Sequence, residues 1–198
     1  LNLYIFDKNQ RQMSLTPSNM LPLGTEAPNF ELWDSVSNSV KTLNKLKGSQ
    51  GTLVLFICNH CPFVIHINEA LVSIANDLEN KGIGVVAISS NDVENYPQDG
   101  PKEMQKHAKN TNYPFPYLYD ETHSVAKAYY AACTPDFFLF DASLKLVYRG
   151  QMDDSRPGNG LPVDGADLLH AVQCMIENKA NTRTQKPSIG CNVKWKTS

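Results

Sequence analysis

Two short apolar runs, residues 52–57 and 83–89, are rich in β-branched residues. Such runs are typical of strands buried on both faces of a parallel sheet. The segment between them begins at Pro62 and ends at Lys81-Gly82, which are favoured residues at the start and the end of a helix. Its apolar residues have helical spacing: Ile67, Leu71, Ile74, Ala75 and Leu78. The pattern therefore predicts a right-handed strand–helix–strand unit.

Shorter patterns predict the elements around this unit. Alternating residues indicate a hairpin formed by residues 29–33 with 39–43, and an apolar run followed by a turn indicates another formed by residues 137–141 with 144–148. Apolar residues at helical spacing indicate three further helices, over residues 101–109, 121–130 and 166–178.

Length and composition are those of one globular domain. The chain has 198 residues, of which 41% are hydrophobic and 19% are charged. Its net charge of −2 gives no electrostatic reason to expect nucleic acid or a membrane as a partner. We expect an N-terminal arm over residues 1–22, a folded domain over residues 23–178 and a polar C-terminal tail over residues 179–198.

The cysteine count bears on the compartment. Five cysteines are an odd number, which fits a reducing environment better than a fully paired secreted scaffold. The first residues lack the basic, apolar and small-residue pattern of a secretory signal. We therefore expect a cytoplasmic location.

The sequence Cys58-Asn59-His60-Cys61 joins the first predicted strand to its helix. Cys61 directly precedes Pro62, so it should lie at the helix N-terminus, where unpaired N–H groups and the helix dipole stabilise a thiolate. His60 could increase the thiolate fraction, serve as an acid–base group, or simply be solvated. The alternative interpretation is two buried thiols or half of a zinc site, for which only His60 is an obvious third ligand.

Four further motifs, when they occur together, are specific enough to indicate a protein family. They are Pro22-Leu23-Gly24 followed by Ala27-Pro28-Asn29-Phe30, Ile88-Ser89-Ser90-Asn91-Asp92, Cys133-Thr134-Pro135-Asp136 and Ile189-Gly190-Cys191. With the Cys-Asn-His-Cys-Pro stretch, they resemble the peroxiredoxin-like (AhpC/TSA, redoxin) branch of the thioredoxin superfamily. The resemblance covers about residues 22–178. It implies an α/β thioredoxin-like fold, with a central mixed sheet flanked by helices and an N-terminal β extension.

The resemblance also implies roles for individual residues. Cys61 aligns with the attacking cysteine, whereas Cys58 lies three residues upstream and Val64 occupies the usual resolving position. Thr134-Pro135 aligns with the cis-proline step, which would place Pro135 beside the attacking sulfur. The residue before that proline, Thr134, would pair its backbone with an incoming peptide.

Other positions depart from the peroxidase pattern. Val54 and Cys58 replace the proline and threonine that precede a peroxide-reactive cysteine, and Thr134-Pro135 stands near the place of the activating arginine. Leu55 replaces the buried acid of thioredoxins, so the usual proton acceptor for the resolving cysteine is missing. These departures favour disulfide chemistry over peroxide reduction.

We therefore expect a thiol–disulfide oxidoreductase that needs neither cofactor nor metal. Cys61 would attack a protein or small-molecule disulfide and Cys58 would resolve the mixed disulfide, with a thioredoxin-type or low-molecular-weight thiol as reductant. One alternative is a peroxiredoxin-like thiol peroxidase, in which Cys58, Cys133 or Cys191 captures a Cys61 sulfenate. Another is a metal-binding or copper-delivery module built on Cys58, Cys61 and a histidine. Packing alone would equally explain Cys133, and Cys191 could be an idle thiol of the tail.

Overall fold

The computed structural model describes residues 15–196. Its strands are β1 (Leu15–Pro17), β2 (Glu31–Asp34), β3 (Ser39–Thr42), β4 (Gly51–Phe56), β5 (Ile83–Ser89), β6 (Tyr117–Tyr119), β7 (Cys133–Thr134), β8 (Asp136–Asp141), β9 (Leu146–Gly150) and β10 (Ile189–Asn192). Its helices are α1 (Leu43–Leu46), α2 (Pro62–Asn80), α3 (Pro101–Thr111), α4 (Ser124–Ala128) and α5 (Ala166–Ile176), and a 3₁₀ turn spans Pro97–Asp99.

A seven-stranded mixed sheet forms the centre of the fold, in the order β3-β2-β6-β5-β4-β8-β9. Strand β4 runs parallel to β5 and antiparallel to β8. All six residues of β4 are buried, as expected of an apolar strand in the middle of a covered sheet. The predicted strand–helix–strand unit and the mixed α/β fold class are both confirmed.

Residues of β4 alternate between two hydrophobic cores because successive side chains of a strand point to opposite faces. Leu55 belongs to the core that contains Leu71 of α2 and Val172 of α5. Val54 belongs to the other core, which contains Val125 of α4. Helices thus cover both faces of the sheet and hold the C-terminal end of β4 in a fixed position.

A second sheet of three strands, in the order β1-β10-β7, joins the two ends of the described chain. Strand β10 pairs with β1 on one side and with β7 on the other, both antiparallel. The predicted arm and tail each contribute one strand, β1 and β10, that no sequence pattern indicates. Residues 1–14 of the predicted arm lie outside the described residues.

Some predicted boundaries also change. The helix predicted over residues 121–130 is only the short α4, because His123 and Tyr130 adopt left-handed backbone angles, with φ of 61° and 51°. Among residues 15–196, no helix is both long and apolar enough to cross a bilayer.

A buried ion pair fixes the start of β8. Arg149 Nη2 lies 2.8 Å from Asp136 Oδ2, and both side chains are fully buried. The same guanidinium donates hydrogen bonds to the backbone oxygens of Tyr129 and Tyr130, and it stacks 3.8 Å above the ring of Phe138. The pair therefore ties the strand that follows Pro135 to the end of α4.

We predict that Arg149→Ala lowers the free energy of unfolding by about 3–5 kcal/mol, because the Asp136 carboxylate would stay buried without its partner. The double variant Asp136→Leu/Arg149→Met is the control. It should recover most of the lost free energy of unfolding, since no isolated charge remains. Urea unfolding followed by circular dichroism measures both. A loss below about 1 kcal/mol for Arg149→Ala would contradict the assigned role.

Candidate active site

Cys61 lies where the sequence predicts it, at the start of α2. It is the N-cap residue, with φ −71° and ψ 120°, and Pro62 is the first helical residue. Its carbonyl accepts hydrogen bonds from the N–H groups of Val64 and Ile65, at 3.0 and 2.9 Å. The side chain is fully buried. A short loop after β4 thus delivers this sulfur to the positive end of a long helix.

Three thiols meet at the Thr134-Pro135 step, whose peptide bond is cis, as the resemblance implied. Cys61 Sγ lies 3.1 Å from the backbone oxygen of Thr134 and 2.9 Å from Cys191 Sγ. Cys58 Sγ lies 3.5 Å from Thr134 Oγ1, and the Cys58 thiol also hydrogen-bonds Cys61. The structure therefore brings together Cys58, Cys61, Thr134 and Pro135, and it adds Cys191 from the tail.

The hydrogen bonds among these thiols favour one thiolate. The bond from Cys191 is the largest cause that lowers the pKa of Cys61 well below its ordinary value, and the bond from Cys58 is the next. The same bonds raise the pKa of both donors, and burial raises them further. Burial opposes ionisation of Cys61 too, but the donors outweigh it. These hydrogen bonds therefore favour ionisation of Cys61 over ionisation of Cys58 or Cys191.

His60 faces a carboxylate rather than the Cys61 sulfur. Its Nδ1 lies 2.7 Å from Asp99 Oδ2, and its ring stacks on Tyr96 with the centroids 5.6 Å apart. Two further donors reach the fully buried Asp99 carboxylate, the Asn59 backbone N–H at 2.8 Å and Asn91 Nδ2 at 2.9 Å. The interactions that lower the pKa of Cys61 come from cysteines and Thr134, so the acidity of Cys61 does not depend on this imidazole.

Cys58, His60 and Asp99 are the one group in residues 15–196 that could hold a metal ion, with ligand atoms all within 4.8 Å of one another. This set differs from the sequence-based alternative, because Asp99 takes the place of Cys61. A zinc site usually has four ligands, and the Asp99 oxygens already contact three partners.

Cys133 is buried next to the Thr134-Pro135 step. Its Sγ contacts the backbone oxygens of Pro135 and Ser188, at 3.7 and 4.0 Å. Burial raises the pKa of this thiol far above its ordinary value. These contacts suit a packing role better than a redox role.

Comparison with family models shows to which protein family the chain belongs. Residues 23–149 match the model of the AhpC/TSA family. The chain belongs to the AhpC/TSA family. A comparison with curated proteins gave no match.

Several solved structures share this fold. The chain is 54% identical to an uncharacterised conserved protein from Geobacillus kaustophilus, with a TM-score of 0.92, over 94% of this chain and 98% of that one. It is 50% identical to a hypothetical protein from Sinorhizobium meliloti, with a TM-score of 0.89, over 92% and 100% of the two chains. The thioredoxin domain of a thiol-disulfide oxidoreductase from Bacteroides vulgatus shares the fold at 19% identity, with a TM-score of 0.59, over 77% and 99%. Fold and family together support a redox role for this AhpC/TSA protein.

Sequence reasoning missed two features of the site. Asp99 lies in a polar segment 38 positions after Cys61, with no local pattern that connects the two. The sequence left undecided whether Cys191 lies beside Cys61, although the Ile189-Gly190-Cys191 motif pointed to a specific role for this segment. Gly190 was the useful residue in that motif, because a glycine in a strand often marks close backbone approach.

We predict that iodoacetamide labels Cys61 before Cys58 at pH 6.5, because the Cys61 thiolate persists where Cys58 is protonated. Between pH 5 and 8, Cys61 labelling should stay nearly constant, whereas Cys58 labelling should rise about tenfold per unit. Mass mapping of the labelled peptides measures both rates.

Two variants identify the cause of this acidity. Cys191→Ala removes the strongest donor and should raise the apparent pKa of Cys61, whereas His60→Ala should leave it unchanged. Equal labelling of Cys58 and Cys61, with a midpoint near that of an ordinary thiol, would remove the physical basis for a Cys61 nucleophile.

Proposed function

We propose that this AhpC/TSA protein is a thiol–disulfide oxidoreductase in which Cys61 is the nucleophile and Cys58 the resolving thiol. One observation carries the proposal. Cys61 Sγ lies at the N-terminus of α2, and the thiols of Cys191 and Cys58 hydrogen-bond it. Such surroundings favour a nucleophilic thiolate.

The attack is a thiol–disulfide exchange. Cys61 thiolate attacks one sulfur of a substrate disulfide, forms a mixed disulfide and expels the other substrate sulfur as a thiolate. Cys58 then attacks Cys61 Sγ, which gives a Cys58–Cys61 disulfide and releases the second substrate thiol. A thioredoxin-type or low-molecular-weight thiol reduces the protein again, and the scheme uses neither cofactor nor metal.

The order of the two steps follows from electrostatics. The hydrogen bond to the Cys61 thiolate and its negative charge both raise the pKa of Cys58. Formation of the mixed disulfide removes that charge, so Cys58 ionises more easily only after the attack. The resolving thiol is therefore inactive until it is needed.

The proton released by Cys58 needs an acceptor, and the thioredoxin position for a buried acid is occupied by the fully buried Leu55. The Asp99 carboxylate and the His60 imidazole are the titratable groups grouped with Cys58. We assign them this role, with Asp99 positioning His60 and His60 taking part in proton transfer.

Asp99→Asn tests this assignment. We predict slower formation of the Cys58–Cys61 disulfide, because the carboxylate that positions His60 for proton transfer is lost. The rate of attack by Cys61 should stay unchanged, because the groups that lower the pKa of Cys61 are cysteines and Thr134. Stopped-flow measurement with a chromogenic small disulfide separates the two steps. Equal slowing of both steps would show that the substitution acts through general distortion of the site.

A thiol peroxidase is the second candidate, favoured by the 2.9 Å contact between Cys61 and Cys191 and by the complete burial of Cys61. A small hydroperoxide could oxidise Cys61 to a sulfenate, which Cys191 would capture with loss of water. Against this candidate, Val54 and Cys58 occupy the upstream positions of the peroxidase motif, and the buried Arg149 is paired with Asp136.

We predict that the protein reduces insulin disulfides faster than it consumes hydrogen peroxide when one preparation is assayed for both. Cys61→Ser should abolish the insulin activity. In a Cys191→Ser background, which removes the neighbouring thiol, Cys58→Ser should additionally trap a mixed disulfide on Cys61. The Cys191→Ser protein with Cys58 intact is the matched control and should release the substrate.

Three outcomes would contradict the proposal. Trapping through Cys58 would reverse the assigned roles, and peroxide consumption without insulin reduction would favour the peroxidase. Stoichiometric metal in freshly purified protein would favour a metal-binding module at Cys58, His60 and Asp99.

A further inference from the structure

The backbone edge beside the active-site sulfur is occupied by the C-terminal strand of the chain itself. Strand β10 pairs antiparallel with β7, with Cys191 opposite Thr134 and Asn192 opposite Cys133. Addition of a strand to an exposed edge is a common way for a protein to hold an extended peptide. Here β10 takes that position, and an external peptide can pair with this edge only when β10 leaves it.

Close contact between β10 and β7 depends on Gly190. A Cβ atom at this position would lie 2.0 Å from the Thr134 oxygen and 3.3 Å from Pro135 Cδ. Any larger residue would therefore push the strand away from the edge. The glycine lets β10 approach closely enough for the next residue, Cys191, to reach Cys61.

The strand is fixed on both sides of Cys191. Before it, the backbone N–H of Ser18 donates to the Ser188 oxygen at 2.8 Å. After it, the Lys194 N–H donates to Asn91 Oδ1 at 2.8 Å, and the Val193 N–H donates to the Ala132 oxygen at 3.0 Å. Cys191 is thus held in register by a sheet rather than by a loose tail.

We propose that Cys191 is a third redox-active cysteine, which forms a disulfide with Cys61 inside the folded chain, and that β10 is an internal stand-in for a substrate peptide. The two sulfurs are 2.9 Å apart, and a disulfide needs about 2.05 Å, so closure requires a shift of only about 1 Å. This inference rests on the proposed function, because it needs Cys61 as the nucleophile.

The chemistry balances with a small disulfide as oxidant. Cys61 thiolate attacks the disulfide, expels one thiolate and carries the other half as a mixed disulfide. The Cys191 thiol loses its proton to the expelled thiolate and attacks Cys61 Sγ. The Cys61–Cys191 bond forms, the mixed disulfide breaks, and the second small sulfur leaves as a thiolate that takes a proton from water. One disulfide is reduced to two thiols, and two protein thiols are oxidised.

Cys58 then acts on the internal disulfide as it would on any mixed disulfide. Its thiolate attacks Cys61 Sγ, forms Cys58–Cys61 and releases Cys191 as a thiol. The internal disulfide is therefore an intermediate, which Cys58 normally removes. Because the side chains of Cys58 and Cys61 are buried next to β10, a disulfide reaches Cys61 only when β10 shifts.

The experiment treats reduced Cys58→Ser protein with one equivalent of oxidised glutathione and maps the products by mass spectrometry. We expect the Cys61–Cys191 disulfide to exceed glutathionylated Cys61 by more than about tenfold, because a thiol held in contact reacts at a high effective concentration. The matched control Cys58→Ser/Cys174→Ser should give the same product, since Cys174 lies on α5 next to His170.

Two further variants distinguish the need for the Cys191 thiol from the need for β10 to lie close to β7. Cys58→Ser/Cys191→Ser should retain glutathione on Cys61. Cys58→Ser/Gly190→Ala should also retain it although Cys191 is present, because β10 cannot lie close to β7. Thermal unfolding of each variant checks that the domain remains folded.

The outcomes distinguish this inference from the function on which it rests. Glutathione that stays on Cys61 in the Cys58→Ser protein would overturn the role of Cys191 and leave the oxidoreductase proposal intact. Persistence of the Cys61–Cys191 disulfide in the Gly190→Ala variant would overturn the role of β10. Absence of any reaction at Cys61 in all variants would overturn the inference together with the proposed function.

Discussion

A buried sulfur that can carry negative charge is the constraint around which this structure is built. Removing a thiolate from water is unfavourable unless hydrogen-bond donors replace the lost solvent. Here the start of α2 supplies the favourable end of the helix dipole, and Cys58 and Cys191 supply the donors. One donor comes from the loop that precedes the helix and the other from the far end of the chain. The site is therefore complete only when the tail is folded against it.

The two sheets contribute to the surroundings of Cys61 in different ways. The seven-stranded sheet is a rigid base, in which β4 is buried on both faces and presents the active-site loop at its end. The small sheet of β1, β10 and β7 closes the site from the side. The chain itself joins them at Pro135, between the end of β7 and the start of β8, and the Asp136–Arg149 pair fixes the first residue of β8 within the large sheet. A substitution that distorts either sheet should consequently change the position of the Cys61 sulfur.

Electrostatics divide the cysteines into distinct chemical types. Cys61 is favoured as a thiolate, whereas the same hydrogen bonds keep Cys58 and Cys191 protonated. Cys133 is protonated for a different reason, which is burial. Reactivity in this site therefore does not follow from cysteine spacing alone. It follows from which sulfur accepts hydrogen bonds and which sulfurs donate them.

The sequence by itself determined the parts of the protein that depend on near neighbours. Apolar runs specified β4, α2 and β5, and Pro62 placed Cys61 at a helix start, because strand, helix and cap signals all lie within a few residues. The cis bond before Pro135 was implied by the family resemblance and not by a local structural signal. Only the tertiary structure decided that β1 pairs with β10, that Cys191 contacts Cys61 and that Asp99 faces His60. Those contacts join residues far apart in the chain, and no local periodicity encodes a partner at such a distance.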